Sequence, residues 1–133
     1  MASDALSAEL QALFRRFGKA FNAGDIDGIL ACVTADFRWI MARGPDAPDG
    51  RIVSGHEALR KALFERSREL ADVRFSEAQV FAAGDQVIGT FRMTARRCAD
   101  GTAVDLRGCD IYTLRDGLIA SKDSYWKQVA AET

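Results

Sequence analysis

Residues 105–127 read DLRGCDIYTLRDGLIASKDSYWK. Two runs rich in Leu, Ile and Tyr meet at Asp116-Gly117, and an Asp-Gly pair between β-prone runs is a strong hairpin signal. The same punctuation recurs upstream. Gly84-Asp85, Asp100-Gly101 and Asp116-Gly117 separate the segments 73–81, 86–97, 103–115 and 118–127, all rich in Val, Ile, Phe, Tyr and Thr. Connections this short join antiparallel neighbours, whereas parallel ones need a long crossover. The C-terminal half is therefore predicted to be a four-stranded antiparallel meander.

Outward from this stretch, the N-terminal half changes period. Leu6, Leu10, Leu13, Phe14, Phe17 and Phe21 recur at three- and four-residue steps, the spacing of one helix face. Ser3 or Ser7 is placed to cap that helix, and Asn22-Ala23-Gly24 ends it. Asp25 caps a shorter helix that turns Ile26, Ile29, Leu30 and Val33 inward. Residues 36–43 then alternate, with Phe37, Trp39 and Met41 on one side, and predict a strand. The run 44–50 holds both prolines and predicts a loop. Ser54 and Glu57 have the spacing of a capping box and introduce a helix to about Leu70, with Leu59, Ala62, Leu63 and Arg66 at helical steps. Helices grouped early and strands late predict one α+β domain over residues 1–133, with helices on one side of a curved sheet.

Composition narrows the function. The chain has 133 residues, 48% of them hydrophobic and 28% charged, enough for a core of its own without a disulfide or metal staple. Lys and Arg number 18 against 19 Asp and Glu, a balance that speaks against a nucleic-acid-binding surface. No run approaches the length of a membrane span, and the start MASDALSAELQ lacks the features of a signal peptide. The three cysteines, Cys32, Cys98 and Cys109, form no CxxC pair, which fits buried free thiols in a reducing cytoplasm. The single histidine, His56, precludes a two-histidine metal site, and its place at a helix start fits capping or exposure to solvent. No GxGxxG, GxxxxGK[ST] or GxSxG occurs. No cofactor or metal is expected. Any chemistry has to come from carboxylates, phenols and a shaped apolar cavity.

A bent sheet with a long helix across its concave side encloses a cone, lined by alternate strand residues. Phe17 and Phe21 from the helix, Trp39 and Met41 from the first strand, and Phe91 and Met93 from a later strand are the large inward candidates. Asp110 stands out because β-propensity disfavours Asp in mid-strand. Either it faces solvent, or it points into the cone as a hydrogen-bond donor or acid–base group. The last hairpin decides its neighbours. A two-residue Asp116-Gly117 turn sets Asp110 opposite Asp123, whereas a three-residue loop puts Lys122, Ser124 and Trp126 on its face.

The stretches FGKAFNAGDIDGILACVTADFRW (17–39), SGHEALRKAL (54–63) and the ending 105–127, in that order, resemble the nuclear-transport-factor-2-like superfamily. The nearest likeness is to its SnoaL-like and ketosteroid-isomerase-like branch, and it runs from about Leu10 to Lys127. The resemblance implies a cone-shaped barrel in which a curved antiparallel sheet wraps the N-terminal helices. It also implies a homodimer packed through the outer face of the sheet, and a ligand cavity near the helix. Aligning the closing Tyr-Trp of the steroid isomerases with Tyr125-Trp126 selects the three-residue loop, and with it Ser124 and Trp126 beside Asp110. In those isomerases an Asp base works with a Tyr and a protonated Asp. By the same alignment the protonated Asp falls on Asp110, the Tyr on Phe17 and the base on Met41, so the steroid-isomerase set is incomplete. The Asp–Arg–Asp set of the epoxide-hydrolysing relatives falls near Phe91, Met93 and Ser124 and is also absent.

Two functions fit. In the first, the protein is a lyase or isomerase acting on a small hydrophobic carbonyl compound. Asp110 is then the catalytic group, with Tyr112 and Ser124 as helpers, and Phe17, Trp39, Met41, Phe91, Met93 and Trp126 form the walls. In the second, it is a non-catalytic ligand-binding or dimerisation module of the same fold, with Asp110 neutralised by an arginine such as Arg107 or Arg92.

Overall fold

The computed structural model describes residues 6–127. Ser7 starts the first helix, its Oγ accepting the Leu10 N–H at 3.2 Å; the other proposed cap, Ser3, lies outside the described residues. Helix α1 (Ala8–Ala23) turns Leu13, Phe14, Phe17 and Ala20 into the core. It ends at Gly24, whose left-handed backbone (φ 65°) suits a residue without Cβ. Asp25 caps α2 (Ile26–Leu30) by accepting the Gly28 N–H at 3.0 Å.

Strand β1 (Val33–Ile40) begins earlier than the alternation predicts and stops before Met41. Val33 lies in register with Ile119, and the Cys32 carbonyl accepts the Ile119 N–H at 3.0 Å. Pairing across the molecule thus recruits Val33, which the helical spacing assigns to the short helix after Asp25. A three-residue strand, β2 (Ile52–Ser54), follows the proline loop and was not expected. Helix α3 (Gly55–Glu69) starts where the capping box predicts, but the Ser54 side chain makes no cap hydrogen bond. The meander then follows as β3 (Leu70–Ala83), β4 (Gln86–Arg97), β5 (Ala103–Arg115) and β6 (Leu118–Lys127).

The strand order is β2-β1-β6-β5-β4-β3. β1 runs parallel to β6 and every other neighbour is antiparallel. The sheet is therefore mixed, correcting the all-antiparallel expectation, and its ends β2 and β3 do not close. Register shifts in β3, in β6 and along the β1–β6 seam bend it into a cone. The core joins α1, α2 and α3 to the concave face through Phe14, Phe17, Phe37, Trp39, Leu59 and Tyr112. No helix among the described residues is long and apolar enough to cross a membrane. The three cysteines are free, but only Cys32 is buried; Cys109 is half-buried and Cys98 exposed, which corrects the expectation of three buried thiols.

Candidate functional site

The last hairpin carries the site and resolves its register by a route that neither sequence reading contains. Its turn has two residues: Arg115 pairs with Leu118, and Asp116 and Gly117 have φ of 54° and 77°, the primed turn that Asp-Gly favours. That turn alone would set Asp110 opposite Asp123. A bulge intervenes between the Leu114–Ile119 and Thr113–Ser121 pairs, and one extra residue exchanges the faces. Asp110 consequently pairs with Ser124, and Lys122 with Tyr112. The expected three-residue loop is wrong, while the inward face it was meant to produce, Lys122 with Ser124, is the one observed.

Asp110 is 3% exposed, on the concave side of β5. The Ser124 Oγ donates to its Oδ1 at 2.7 Å, and the Tyr112 phenol donates to its Oδ2 at 3.1 Å. Trp39 Nε1 donates to Ser124 Oγ at 3.1 Å, so the indole orients the hydroxyl that orients the carboxyl group. The Lys122 ammonium stands 3.9 Å from Oδ2. Its other surroundings are aromatic, with the centroids of Phe21, Trp39 and Phe17 at 4.3, 4.9 and 5.6 Å. Burial pushes the Lys122 pKa down, the Arg66 charge pushes the same way, and Asp110 opposes both. The Tyr112 phenol is raised well above its ordinary value, chiefly by burial and then by the adjacent carboxyl group, so it is a neutral donor at neutral pH.

These groups form the polar end of a hollow of about 100 Å³, walled by Phe14, Phe17, Phe21, Phe75 and Phe91 and open on one side. Asp110, Tyr112 and Lys122 all reach its surface. Two glycines make room: a Cβ on Gly108 would fall 2.1 Å from the Phe91 ring, and one on Gly89 3.1 Å from the Tyr112 ring.

Of the residues expected to bind ligand, Phe17, Phe91 and Tyr112 line the hollow with Asp110. Trp39 and Ser124 are buried behind the carboxyl group and support it. Met93 is buried beneath Arg66, whose Nη2 approaches its sulfur at 3.5 Å. Met41 and Trp126 are half-buried and lie outside the lining, Met41 because β1 ends before it and Trp126 because it pairs with Gly108 near the far end of β6. Arg92 and Arg107 do not neutralise Asp110; they hold Asp105 and Glu77 on the exterior. His56 neither caps its helix nor stands in solvent; it is half-buried, with Nε2 3.0 Å from the Thr34 carbonyl. Sequence reasoning missed Phe14, Phe75 and the role of Lys122. For Lys122 the signal was present, since it alternates with Ser124.

A bent α+β sheet holding its polar groups at the bottom of an aromatic hollow defines the nuclear-transport-factor-2-like architecture. A model of the SnoaL-like domain matches residues 14–122, and the chain belongs to that family. Solved structures with this fold include a protein provisionally named a polyketide cyclase from Silicibacter sp. TM1040. It is 22% identical, with a TM-score of 0.79 and coverage of 96% of this chain and 100% of that one. An NTF2-like protein from Burkholderia xenovorans LB400 is 23% identical, with a TM-score of 0.75 and 92% of each chain covered. TerC, co-crystallised with polyporic acid, is 20% identical with a TM-score of 0.76, over 90% of this chain and 92% of that one. Comparison with curated proteins finds no match.

Proposed function

We propose that the protein is a small-molecule isomerase or cyclase that moves a proton at carbon next to a carbonyl, working in the reducing cytoplasm with no cofactor. The observation that carries this reading is a buried carboxyl group held by two hydroxyls and facing an ammonium at the floor of an aromatic hollow. Both Asp110 oxygens accept hydrogen bonds, which supports Asp110 as the proton acceptor. It takes the proton from the substrate α-carbon, the C–H electron pair moves into the enolate, and negative charge collects on the carbonyl oxygen. Lys122, as ammonium, and the neutral Tyr112 phenol are the donors at hand for that oxygen. The proton then returns from Asp110 to another carbon of the same molecule, or the enolate carbon attacks a second carbonyl to close a ring and the alkoxide so formed takes the proton back from Asp110. Relatives in fold that carry the polyketide cyclase name, and one crystallised with polyporic acid, are consistent with this class of ligand.

The size of the hollow bears on the substrate. A dry cavity of about 150 Å³ accommodates benzene, so a hollow of about 100 Å³ takes a short chain or part of one ring, with the rest of the ligand extending through the open side. The test is exchange of α-hydrogens for deuterium in D₂O, followed by proton NMR on phenylacetone and phenylpyruvate. Exchange above buffer is expected, and Asp110→Asn should lower it by about 10²-fold or more, the usual contribution of a positioned base. Exchange that survives in the variant assigns the base elsewhere. Binding without exchange by the native chain replaces this reading with that of a ligand-binding module.

A further inference from the structure

The interior of the cone has more positive than negative charge. Among the described arginines only Arg66 and Arg92 are not exposed, and Arg92 is held by Asp105 and Glu77. Arg66 has no ion-pair partner among the described residues. Its hydrogen bond goes to the Met93 thioether, a weak acceptor. Its guanidinium lies 5.3 Å from the Phe75 centroid and 5.7 Å from the Phe21 centroid, on rings that wall the first hollow. Arg66 also lines a second hollow of about 90 Å³, with Phe21, Ile29, Leu63, Ser67 and Val73. Phe21 is shared by the two hollows, and Lys122 Nζ is 4.3 Å from the same ring. Asp110 is the one buried carboxylate among the described residues; Lys122 stands 3.9 Å from it, and Arg66 approaches that pair through the shared Phe21 ring.

We propose that the ligand of this cone is an anion with a small apolar body, a carboxylate or an acidic enol, and that Arg66 selects for its negative charge. The inference deepens the reading of the cone as a ligand site and rests on it. A neutral ligand expels water from around Lys122 and Arg66 and gives nothing in exchange, whereas an anion replaces the lost solvation with charge. Burial already pushes both cations down in pKa, and Asp110 offsets this only in part. A ligand seated against the five phenylalanines with its charged end toward Phe21 meets the ammonium directly and the guanidinium across the Phe21 and Phe75 rings.

The experiment uses non-enolisable probes, so it is independent of turnover. 4-Fluorobenzoate and 4-fluorobenzyl alcohol are titrated into the full chain and followed by fluorine NMR. The native protein should bind the benzoate at least about tenfold more tightly than the alcohol. Arg66→Met should weaken benzoate about fivefold or more and leave the alcohol within about twofold, with Arg66→Lys recovering most of the loss. Equal affinities in the native protein, failure of both probes to bind, or an Arg66→Met loss equal for the two overturns the proposal. Should Arg66→Met not fold, Arg66→Gln takes its place with the same expected and overturning outcomes; a native benzoate-to-alcohol ratio indifferent to added sodium chloride also counts against the proposal. A charge preference without α-hydrogen exchange would retain this inference and remove the isomerase; exchange without the preference would do the reverse.

Discussion

Asp110 and Lys122 illustrate what a single position can and cannot announce. A mid-strand Asp is visible as an anomaly, and a Lys alternating with Ser124 is visible as its neighbour, but whether the two share a cavity depends on one bulge residue 10 positions away from Asp110. Arg66 was legible in a different way: it completes the stripe Leu59–Ala62–Leu63–Arg66, and an arginine on an apolar stripe has to find a purpose inside. Breaking the pair from one side should be costly. Lys122→Met leaves a buried carboxylate without its cation and is expected to lose about 3 kcal/mol or more in urea denaturation. The double variant Lys122→Met with Asp110→Asn should recover much of that loss. The pair also has a pH signature. The folded-state pKa of Lys122 lies below its ordinary 10.5, so the unfolded chain binds more protons in the window between the two values. Stability contributed at this position therefore rises with pH through that window. Comparison of native and doubly substituted protein by denaturation from neutral pH to about 10.5 should show a positive difference in slope; no difference would mean that Lys122 is not desolvated.

At the scale of elements, what is punctuated locally is readable and what is paired at a distance is not. The spans 86–97, 103–115 and 118–127 are found as predicted, because Asp-Gly and Gly-Asp turns mark their ends. β3 extends beyond its predicted 73–81 at both ends, and its two register shifts lie near Asp72 and Glu77, which take positive φ of 56° and 53°. Asp72 is of a residue type that tolerates positive φ, but nothing in its neighbours singles it out, and Glu77 carries no such signal. The parallel β1–β6 seam and the short β2 are products of chain packing, and nothing in 33–40 or 52–54 names its partner. The wall of the hollow nonetheless rests on a local feature that can be tested. Gly108→Ala introduces a Cβ into the space of the Phe91 ring, which must swing aside. The expected outcome is a folded protein less stable by about 1–3 kcal/mol, the usual cost of overpacking, with clearly weakened binding of 4-fluorobenzoate. A variant with native affinity would show that Phe91 is not a wall of the ligand site.

For the whole molecule, the concave side of the sheet is spent on helices and cavity, which leaves the convex side to explain. Phe81 pairs with Ile88, and Ile88 with Ile111, so the three form a row across β3, β4 and β5 on the side away from Asp110. Phe81 is 46% exposed, Ile88 and Ile111 are half-buried, and Tyr125 nearby is 56% exposed. An apolar row of this kind on an otherwise charged surface is best covered by a partner, and the resemblance to nuclear-transport-factor-2-like proteins implies a second copy. A twofold contact would bring the row against itself and needs about 1,000 Å² or more of total buried surface to be stable. Light scattering at about 100 μM, well above the dissociation constants of stable dimers, is expected to give twice the chain mass. Ile111→Glu should give the chain mass with an unchanged circular dichroism spectrum. Because the row and the hollow lie on opposite faces of the same strands, the separated chain should keep its preference for benzoate over the alcohol. A native protein that runs as a single chain at that concentration removes the dimer, and loss of ligand binding on separation would show that the partner contributes to the cone.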